Sequence, residues 1–245
     1  MDLSFYNSKN ILHNQNKNYG FTLAEVLITL GVIGVVAALT LPILIERHQK
    51  QVTVTLLKKA YTTLSQAFVS SVADNGNAND WVDTNVLLTE ENVKKNYFNL
   101  YWAPYLKDFE FCTSQESCGY NGRPKAYNGN YPMLNFFGGK RISILTADGM
   151  YMLFRSVGGA SGSGIETFSK RQEIFVDINA GKGPNVYGKD IFLLMLDLES
   201  SKILLYGYSS PESYVNEHCY GASANDCFTT CATRIMRDGW KINYY

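Results

Sequence analysis

The chain has 245 residues, 22 basic and 22 acidic side chains, and a hydrophobic content of 46%. These values are those of a globular protein that is large enough to bury a core. Because phosphate contacts require a basic face, the zero net charge argues against a dedicated nucleic-acid binder or anionic-membrane binder.

An almost unbroken apolar run fills residues 21–45 and holds one ionisable side chain, Glu25. As a helix, this run would extend roughly 37 Å, enough to cross a hydrocarbon core about 30 Å thick with some tilt. The run therefore predicts a membrane-spanning or export segment.

The charges that flank the run do not decide its orientation. Lys9 and Lys17 precede it and Arg47 and Lys50 follow it, so the positive-inside rule is nearly balanced. A short polar leader stands before the run, and a long domain with every cysteine stands after it. This arrangement predicts that the N-terminus faces the cytoplasm and that the domain faces an oxidising compartment.

The helical pattern continues beyond the run, over residues 46–73. Apolar residues recur there at spacings typical of one helix face, and they are Leu56, Leu57, Ala60, Leu64, Ala67, Phe68 and Val72. Asp74-Asn75-Gly76 then supplies a stop signal. We expect one helix from about residue 22 to 73, roughly 75 Å long, whose second half packs on a globular domain of residues 74–245.

A conventional secretory signal is the alternative interpretation of the run. The small residues Val36-Ala37-Ala38 could mark a cut near Ala38, and the protein would then be released as a soluble domain. Against this, the leader is long and polar, Glu25 interrupts the apolar region, and the helical pattern continues past the cut.

The residues Gly20-Phe21-Thr22-Leu23-Ala24-Glu25 resemble the class III signal of type IV pilins and of the pseudopilins of type II secretion. The resemblance implies that prepilin peptidase removes residues 1–20 by cutting after Gly20, and that Phe21 becomes an N-methylated N-terminus. It assigns Glu25 to pairing with the N-terminal amine of a neighbouring subunit during assembly. Pro42 stands where the family often kinks its helix.

The resemblance further implies a structural subunit that polymerises through its N-terminal helix into a type II secretion pseudopilus or a type IV pilus. Its partners would be prepilin peptidase, other pilin or pseudopilin subunits, and an inner-membrane assembly platform with its ATPase. It would be a single-pass protein of the bacterial inner membrane, with its head in the periplasm or outside. A minor tip subunit for adhesion or DNA uptake is the alternative within the family.

The head, residues 74–245, is predicted to have an α+β fold. A short helix suits residues 90–106, and the turn-rich segments 121–132 and 158–164 suit surface loops. Strand patterns cover 141–154 (two strands around an Asp148-Gly149 turn), 172–178, 190–198 and 202–208. Five strands beside one long helix predict an antiparallel sheet laid on that helix, as in pilin heads.

The five cysteines predict two disulfides within the chain, and the odd cysteine either remains a thiol or pairs between chains. Cys112 and Cys118 are predicted to pair across a short loop. Near the end of the chain, Cys219 is predicted to pair with either Cys227 or Cys231, and the sequence leaves that choice open.

The choice depends on a predicted C-terminal helix. Asn225 or Asp226 could cap a helix that begins near Cys227 and stops at Gly239. Cys227 and Cys231 would then share a helix face, which is a poor geometry for a bond between them.

Asp177, Asn179 and Asp190 lie between two predicted strands and could supply oxygen ligands to calcium. Some pseudopilins carry a calcium site in this part of the head. The alternative is an ordinary turn, because Asp, Asn, Gly and Pro cluster in turns.

The sequence contains no HExxH, GxSxG or Walker motif. His218 precedes Cys219, and adjacent residues of an extended chain point to opposite faces, so we expect no Cys–His couple. The chain is predicted not to be an enzyme and to need no cofactor other than the calcium considered above.

Overall fold

The computed structural model describes residues 20–81, 91–114, 116–120, 123–126, 141–159, 167–198, 200–220 and 229–245. The chain divides into two compact units, Met1–Arg47 and His48–Tyr245. The predicted loops at 121–132 and 158–164 lie mainly outside the described residues.

The first helix, α1, extends from Leu23 to Asn75, close to the predicted bounds. Its buried positions follow one another at the three- and four-residue spacing of a single helix face, and they are Val54, Leu57, Ala60, Leu64, Ala67, Phe68 and Ser71. Gly76 follows with a φ of 79°, the left-handed conformation that commonly ends a helix. The predicted long helix is therefore confirmed.

Pro42 lies inside α1, and the residues on both sides of it are helical. A proline removes one backbone donor and clashes with the preceding turn, which is why a bend is expected there. A bend at Pro42 stays a prediction.

A six-stranded antiparallel sheet forms the centre of the second unit, with its strands in chain order. The strands are β1 (Phe109–Phe111), β2 (Arg141–Thr146), β3 (Tyr151–Gly159), β4 (Thr167–Asp177), β5 (Ile191–Asp197) and β6 (Lys202–Leu205). The predicted α+β, pilin-like architecture is confirmed. The strand count was one too low, because β1 is only three residues long and gives no alternating pattern of its own.

The core of the second unit is built on a buried cross-strand row of the sheet. This row contains Ile142, Phe154, Ile174, Leu194 and Leu205, which are paired in register. Such rows of paired side chains are the unit of sheet stabilisation.

An aromatic cluster joins this sheet to α1 and to α2, the helix Glu91–Tyr101. Phe98 of α2 contacts the rings of Phe109, Phe111 and Phe154 at centroid distances of 5.3, 5.5 and 5.1 Å. Trp102 lies 5.9 Å from Phe68 of α1 and 4.9 Å from Phe154 of β3. Among the described residues, those of the hydrophobic core all lie at or after Val54, so the second unit has a core of its own.

Two short helices, α3 (Glu212–Tyr220) and α4 (Cys231–Arg237), follow the sheet. The disulfide Cys219–Cys231 links them, with a Cα–Cα distance of 4.5 Å. The predicted helix was too long at its start: residues 229 and 230 form a turn, and the Thr230 hydroxyl donates to the Val215 carbonyl at 2.8 Å. Tertiary contacts to α3 thus fix where α4 begins.

The residues invoked for the earlier helix start, Asn225, Asp226 and Cys227, lie outside the described residues. Of the two partners left open for Cys219, the structure selects Cys231.

His218 lies on α3, so the expectation of an extended chain at this point is wrong. Its ring stacks on Tyr214 with a centroid distance of 3.7 Å, and its Nδ1 is 2.9 Å from the Tyr214 carbonyl oxygen. Residues four apart face each other on a helix, so His218 meets Tyr214.

Candidate functional site

The predicted processing site lies directly before α1. Gly20, Phe21 and Thr22 are exposed and non-helical, and Phe21 is 88% exposed. Exposed, irregular chain is where proteases cut most readily. The Gly20–Phe21 bond therefore has a local structure that suits cleavage.

Thr22 and Glu25 form a reciprocal cap at the start of α1. The Thr22 backbone N–H and hydroxyl both donate to Glu25 Oε2 at 2.8 Å. In return, the Glu25 N–H donates to Thr22 Oγ1 at 3.2 Å. This is the capping-box pattern, which satisfies backbone donors that a helix start leaves without partners. Within one chain, the Glu25 carboxylate therefore already has two donors.

The other polar side chains of the apolar run are also satisfied within α1. Thr29 Oγ1 donates to the Val26 carbonyl at 3.0 Å, and Thr40 Oγ1 donates to the Val36 carbonyl at 2.9 Å. Because lipid offers no hydrogen-bond partners, a spanning segment must pair its polar groups internally.

The apolar side chains of the run are exposed in the single chain. Leu39, for example, is 69% exposed and Ile33 is 63% exposed. By length and composition, α1 can cross a membrane. Such an apolar surface needs lipid or other protein around it, because exposed apolar patches of this extent mark interaction sites.

The three predicted calcium ligands lie at the end of β4 (Asp177) and in the loop between β4 and β5 (Asn179 and Asp190). Asp177 Oδ1 accepts the Asn179 N–H at 3.0 Å, and Asp177 Oδ2 accepts the Tyr120 hydroxyl. The Asn179 side-chain amide donates to the Gly183 carbonyl at 2.9 Å. Tyr120 thereby ties the segment after the first disulfide, Cys112–Cys118, to this loop.

Asp190 accepts backbone hydrogen bonds at the other end of the same loop. Its Oδ1 accepts the Val186 N–H and its Oδ2 accepts the Asn185 N–H, both at 2.7 Å. Asp177 is fully buried and Asp190 is 2% exposed. Both carboxyls therefore act as internal hydrogen-bond acceptors for the loop backbone.

Burial shifts the protonation of this pair. Burial, with the nearby Asp190 charge as the second cause, raises the pKa of Asp177 to about 8. Burial also raises the pKa of Asp190, against the lowering effect of the Val186 and Asn185 N–H donors. Two carboxylates in one buried site repel each other, which favours the neutral form of Asp177.

The oxygen atoms of Asp177, Asn179 and Asp190 form a poor ligand set for calcium in this arrangement. All four carboxylate oxygens of Asp177 and Asp190 accept hydrogen bonds from the protein, and calcium needs six to eight oxygen ligands. Across the part of the chain that the structure describes, no three His, Cys, Asp or Glu side chains group as metal ligands. The geometry favours a hydrogen-bonded turn, and calcium binding stays an untested prediction.

Two family models match the chain. The prokaryotic N-terminal methylation motif matches residues 15–41, and a family of unknown function (DUF6613) matches residues 43–244. The chain belongs to the DUF6613 family. Its methylation motif is the type IV pilin and pseudopilin signal, so the resemblance drawn from residues 20–25 is confirmed. No curated protein and no solved structure matches this chain.

In this DUF6613 chain, the two matched regions meet at Pro42, inside α1. The methylation motif therefore includes Gly20, Phe21 and Glu25, whereas the DUF6613 region includes the later part of α1 and the whole sheet. The processing signal and the head are separate in sequence, and one helix joins them.

Sequence reasoning missed three residues that shape these sites. Thr22 could have been found, because Thr followed three residues later by Glu is the capping-box signature. Tyr120 and Gly181 have no such local sequence signature. Gly181 is required because a Cβ there would lie 1.8 Å from the Gly119 carbonyl oxygen. Their roles depend on contacts between segments far apart in the chain.

Proposed function

We propose that this chain is a pilin-like or pseudopilin-like subunit that polymerises through its N-terminal helix into a type II secretion pseudopilus or a type IV pilus. Residues 1–20 are removed by cleavage after Gly20, and the new N-terminus, Phe21, is N-methylated. Residues 21–45 first span the membrane and then form the filament core. Residues 46–73 continue the helix, and residues 74–245 form the head.

One observation carries this proposal. The N-terminal methylation motif covers residues 15–41 and so includes the start of α1. In this part of α1 the apolar side chains are exposed, and the polar side chains are hydrogen-bonded within the helix. Such a helix is suited to exchange lipid for the helices of neighbouring subunits.

Glu25 is proposed to set the register between subunits. Its carboxylate lies at the N-terminal end of α1, held there by Thr22. The protonated amine of a neighbouring Phe21 is a stronger partner for this carboxylate than the neutral Thr22 donors, because two opposite charges attract each other strongly in a low dielectric. Leaving a charge unpaired in a low-dielectric surrounding is costly, so assembly favours this pairing.

The proposed partners follow from this cycle. They are prepilin peptidase, other pilin or pseudopilin subunits, and an inner-membrane platform driven by an ATPase. The head lies on the periplasmic or outer side of the inner membrane, where the disulfides Cys112–Cys118 and Cys219–Cys231 persist.

Mass spectrometry of the N-terminal peptide of the exported protein tests the proposed processing. We expect N-methylated Phe21 as the first residue, and the unprocessed chain in cells without prepilin peptidase. A chain that starts at Leu39 would show conventional secretion and would overturn the proposal.

A further inference from the structure

A cavity of the second unit lies between the second half of α1 and the β2–β3 hairpin. Its volume is about 550 Å³, which is within the usual range of ligand-binding pockets. Met150 and Met152, at the start of β3, line it, and both are buried. Lys59 of α1 and Asp148 of the hairpin also line it and form an ion pair of 2.7 Å. We call this space the hairpin cavity.

The cavity also has polar and charged walls. Thr63, Gln66 and Ser70 of α1 line one wall, and Lys107 and Asp108 line another. Lys107 and Asp108 are exposed, and neither forms an ion pair with another residue that the structure describes. The cavity therefore offers a partner an apolar floor, one basic group and one acidic group.

An exposed aromatic side chain lies on the turn that follows β6. Of the aromatic side chains that the structure describes in the second unit, only Tyr208 is largely exposed, at 50%. Aromatic residues are enriched in protein interfaces, and tyrosine is among the residues that contribute most to binding there. Tyr208 is therefore a candidate contact with another protein chain.

The fold fixes the turn that presents Tyr208. Arg237 Nη2 donates to the Tyr208 and Ser210 carbonyl oxygens at 2.8 and 2.7 Å. Gly207 has a φ of 81°, and a Cβ there would lie 2.8 Å from the Thr230 side chain. A side chain on a fixed turn loses less conformational freedom on binding than one on a mobile loop, so Tyr208 is preorganised.

The hairpin cavity and Tyr208 lie on opposite flanks of the second half of α1. On one flank, Lys59 pairs with Asp148 of the hairpin. On the other flank, the Tyr61 hydroxyl donates to the Ile203 carbonyl of β6 at 3.4 Å. Since β2 and β6 are four strand spacings apart, roughly 19 Å, Tyr208 is too far away to fill the cavity of its own chain.

The surroundings of the two features have complementary charges. Arg237 and Glu212, on either side of the Tyr208 turn in sequence, are both exposed. Opposite Lys107 and Asp108 of a second copy, they allow two ion pairs, one of each polarity. Such pairs steer association and fix the register of an interface.

We propose that Tyr208 of one copy enters the hairpin cavity of the next copy. Methionine sulfur makes favourable contacts with aromatic rings, so Met150 and Met152 suit a tyrosine ring. Each copy then has Tyr208 on one side and the cavity on the other, which is a heterologous contact that can repeat along a helical filament. The inference rests on the proposed filament function and adds a contact between heads.

Photo-cross-linking in filaments made by cells tests this contact. In one copy of the full-length chain, the photoreactive residue benzoylphenylalanine replaces Tyr208, and a second copy with Tyr208 and an epitope tag is expressed beside it. After illumination, mass spectrometry locates the cross-links in the isolated filaments. We expect position 208 to be joined to residues 146–152 of the tagged copy. The same probe at Leu100, which is also 50% exposed, should not give this cross-link.

A matched pair of substitutions measures the contribution of the ring. At equal expression, we expect Tyr208→Ala to lower the amount of the chain in filaments about tenfold, as is usual when an aromatic residue at the centre of an interface is removed. Tyr208→Phe retains the ring and should enter filaments at close to the wild-type amount. Equal amounts of the N-methylated chains in the membrane fraction show that each variant is made and processed.

The outcomes separate this contact from the proposed function. Cells that make no filaments with N-methylated Phe21 would overturn the proposed function and, with it, this inference. Normal filaments without a cross-link from position 208 to residues 146–152 would overturn this contact alone. A cross-link from position 208 to a different protein would identify another partner and would also overturn a contact between copies.

Discussion

Glu25 is tolerable in an apolar helix because one neighbour, Thr22, meets it with two donors. A carboxylate near the end of a spanning helix costs less than one at the centre, and the cap lowers the cost further. The same cap keeps the carboxylate at the end of α1, where the proposed pairing with a second chain's amine would take place.

The buried carboxyl of Asp177 predicts an unusual pH dependence. Its pKa is raised to about 8, so the stabilisation from the neutral form is complete at acidic pH and is lost as the pH rises towards 8. We expect the free energy of unfolding of a soluble fragment from His48 to fall between pH 5 and 8, by up to about 1.4 kcal/mol per pH unit. Carboxyls with lowered pKa values, such as Asp148, change the stability only at pH values below this range.

Chemical denaturation across this pH range measures the effect, and Asp177→Asn provides the comparison. The amide is neutral at every pH, so its profile should be flatter. A wild-type profile that rises from pH 5 to 8 would contradict the buried protonated state.

The same fragment tests the calcium prediction. A Tm that neither calcium nor a chelator changes at pH 8 would exclude a calcium site.

Gly181 is predicted to be intolerant of any side chain. A Cβ there would lie 1.8 Å from the Gly119 carbonyl oxygen, so the backbone of one loop must move. We expect Gly181→Ala to destabilise the head by about 1–3 kcal/mol, the usual cost of overpacking. Lys182→Ala, at the exposed neighbour, should change stability by less than about 0.5 kcal/mol. Equal effects in urea denaturation would refute this close approach.

Helix α2 packs on the sheet through Phe98, which is fully buried against three rings of β1 and β3. We expect Phe98→Ala to lower the free energy of unfolding by about 3–5 kcal/mol, the range for large-to-small aromatic substitutions. Leu100→Ala is the matched control, because Leu100 lies on the same helix and is 50% exposed. A small effect at Phe98 in the same denaturation assay would show that α2 packs elsewhere.

The elements that sequence predicted are those with a local pattern. The apolar run and the amphipathic spacing near Leu57 and Leu64 define α1, and the Asp148-Gly149 turn defines the hairpin of β2 and β3. The missed features lack such patterns. Strand β1 exists because β2 pairs with it, and α4 starts at Cys231 because α3 holds the preceding turn.

The candidate sites also divide into residues with a local sequence pattern and residues without one. Gly20, Phe21 and Glu25 lie within six consecutive residues, so a local pattern suggests their roles, and the methylation motif covers them. Asp177 and Asp190 were singled out as charges, but their roles as buried acceptors depend on Tyr120 and on loop amides that no local pattern reveals.

The whole molecule combines an apolar helix that suits a membrane with a head that has its own core. The DUF6613 match covers the head, and the methylation motif covers the start of the helix. In the proposed filament, any further function would depend on the surface of the head. The proposed assembly would depend on α1.

Incorporation of Glu25→Val into filaments tests the central claim most directly. Wild-type and variant chains are expressed at equal levels, and the amount of each with N-methylated Phe21 is measured in the isolated filament fraction. We predict that both chains are cleaved after Gly20 and that only the wild type enters the filament, because the variant has no carboxylate to meet a neighbour's amine. Equal incorporation of the two chains would contradict assembly in register through Glu25.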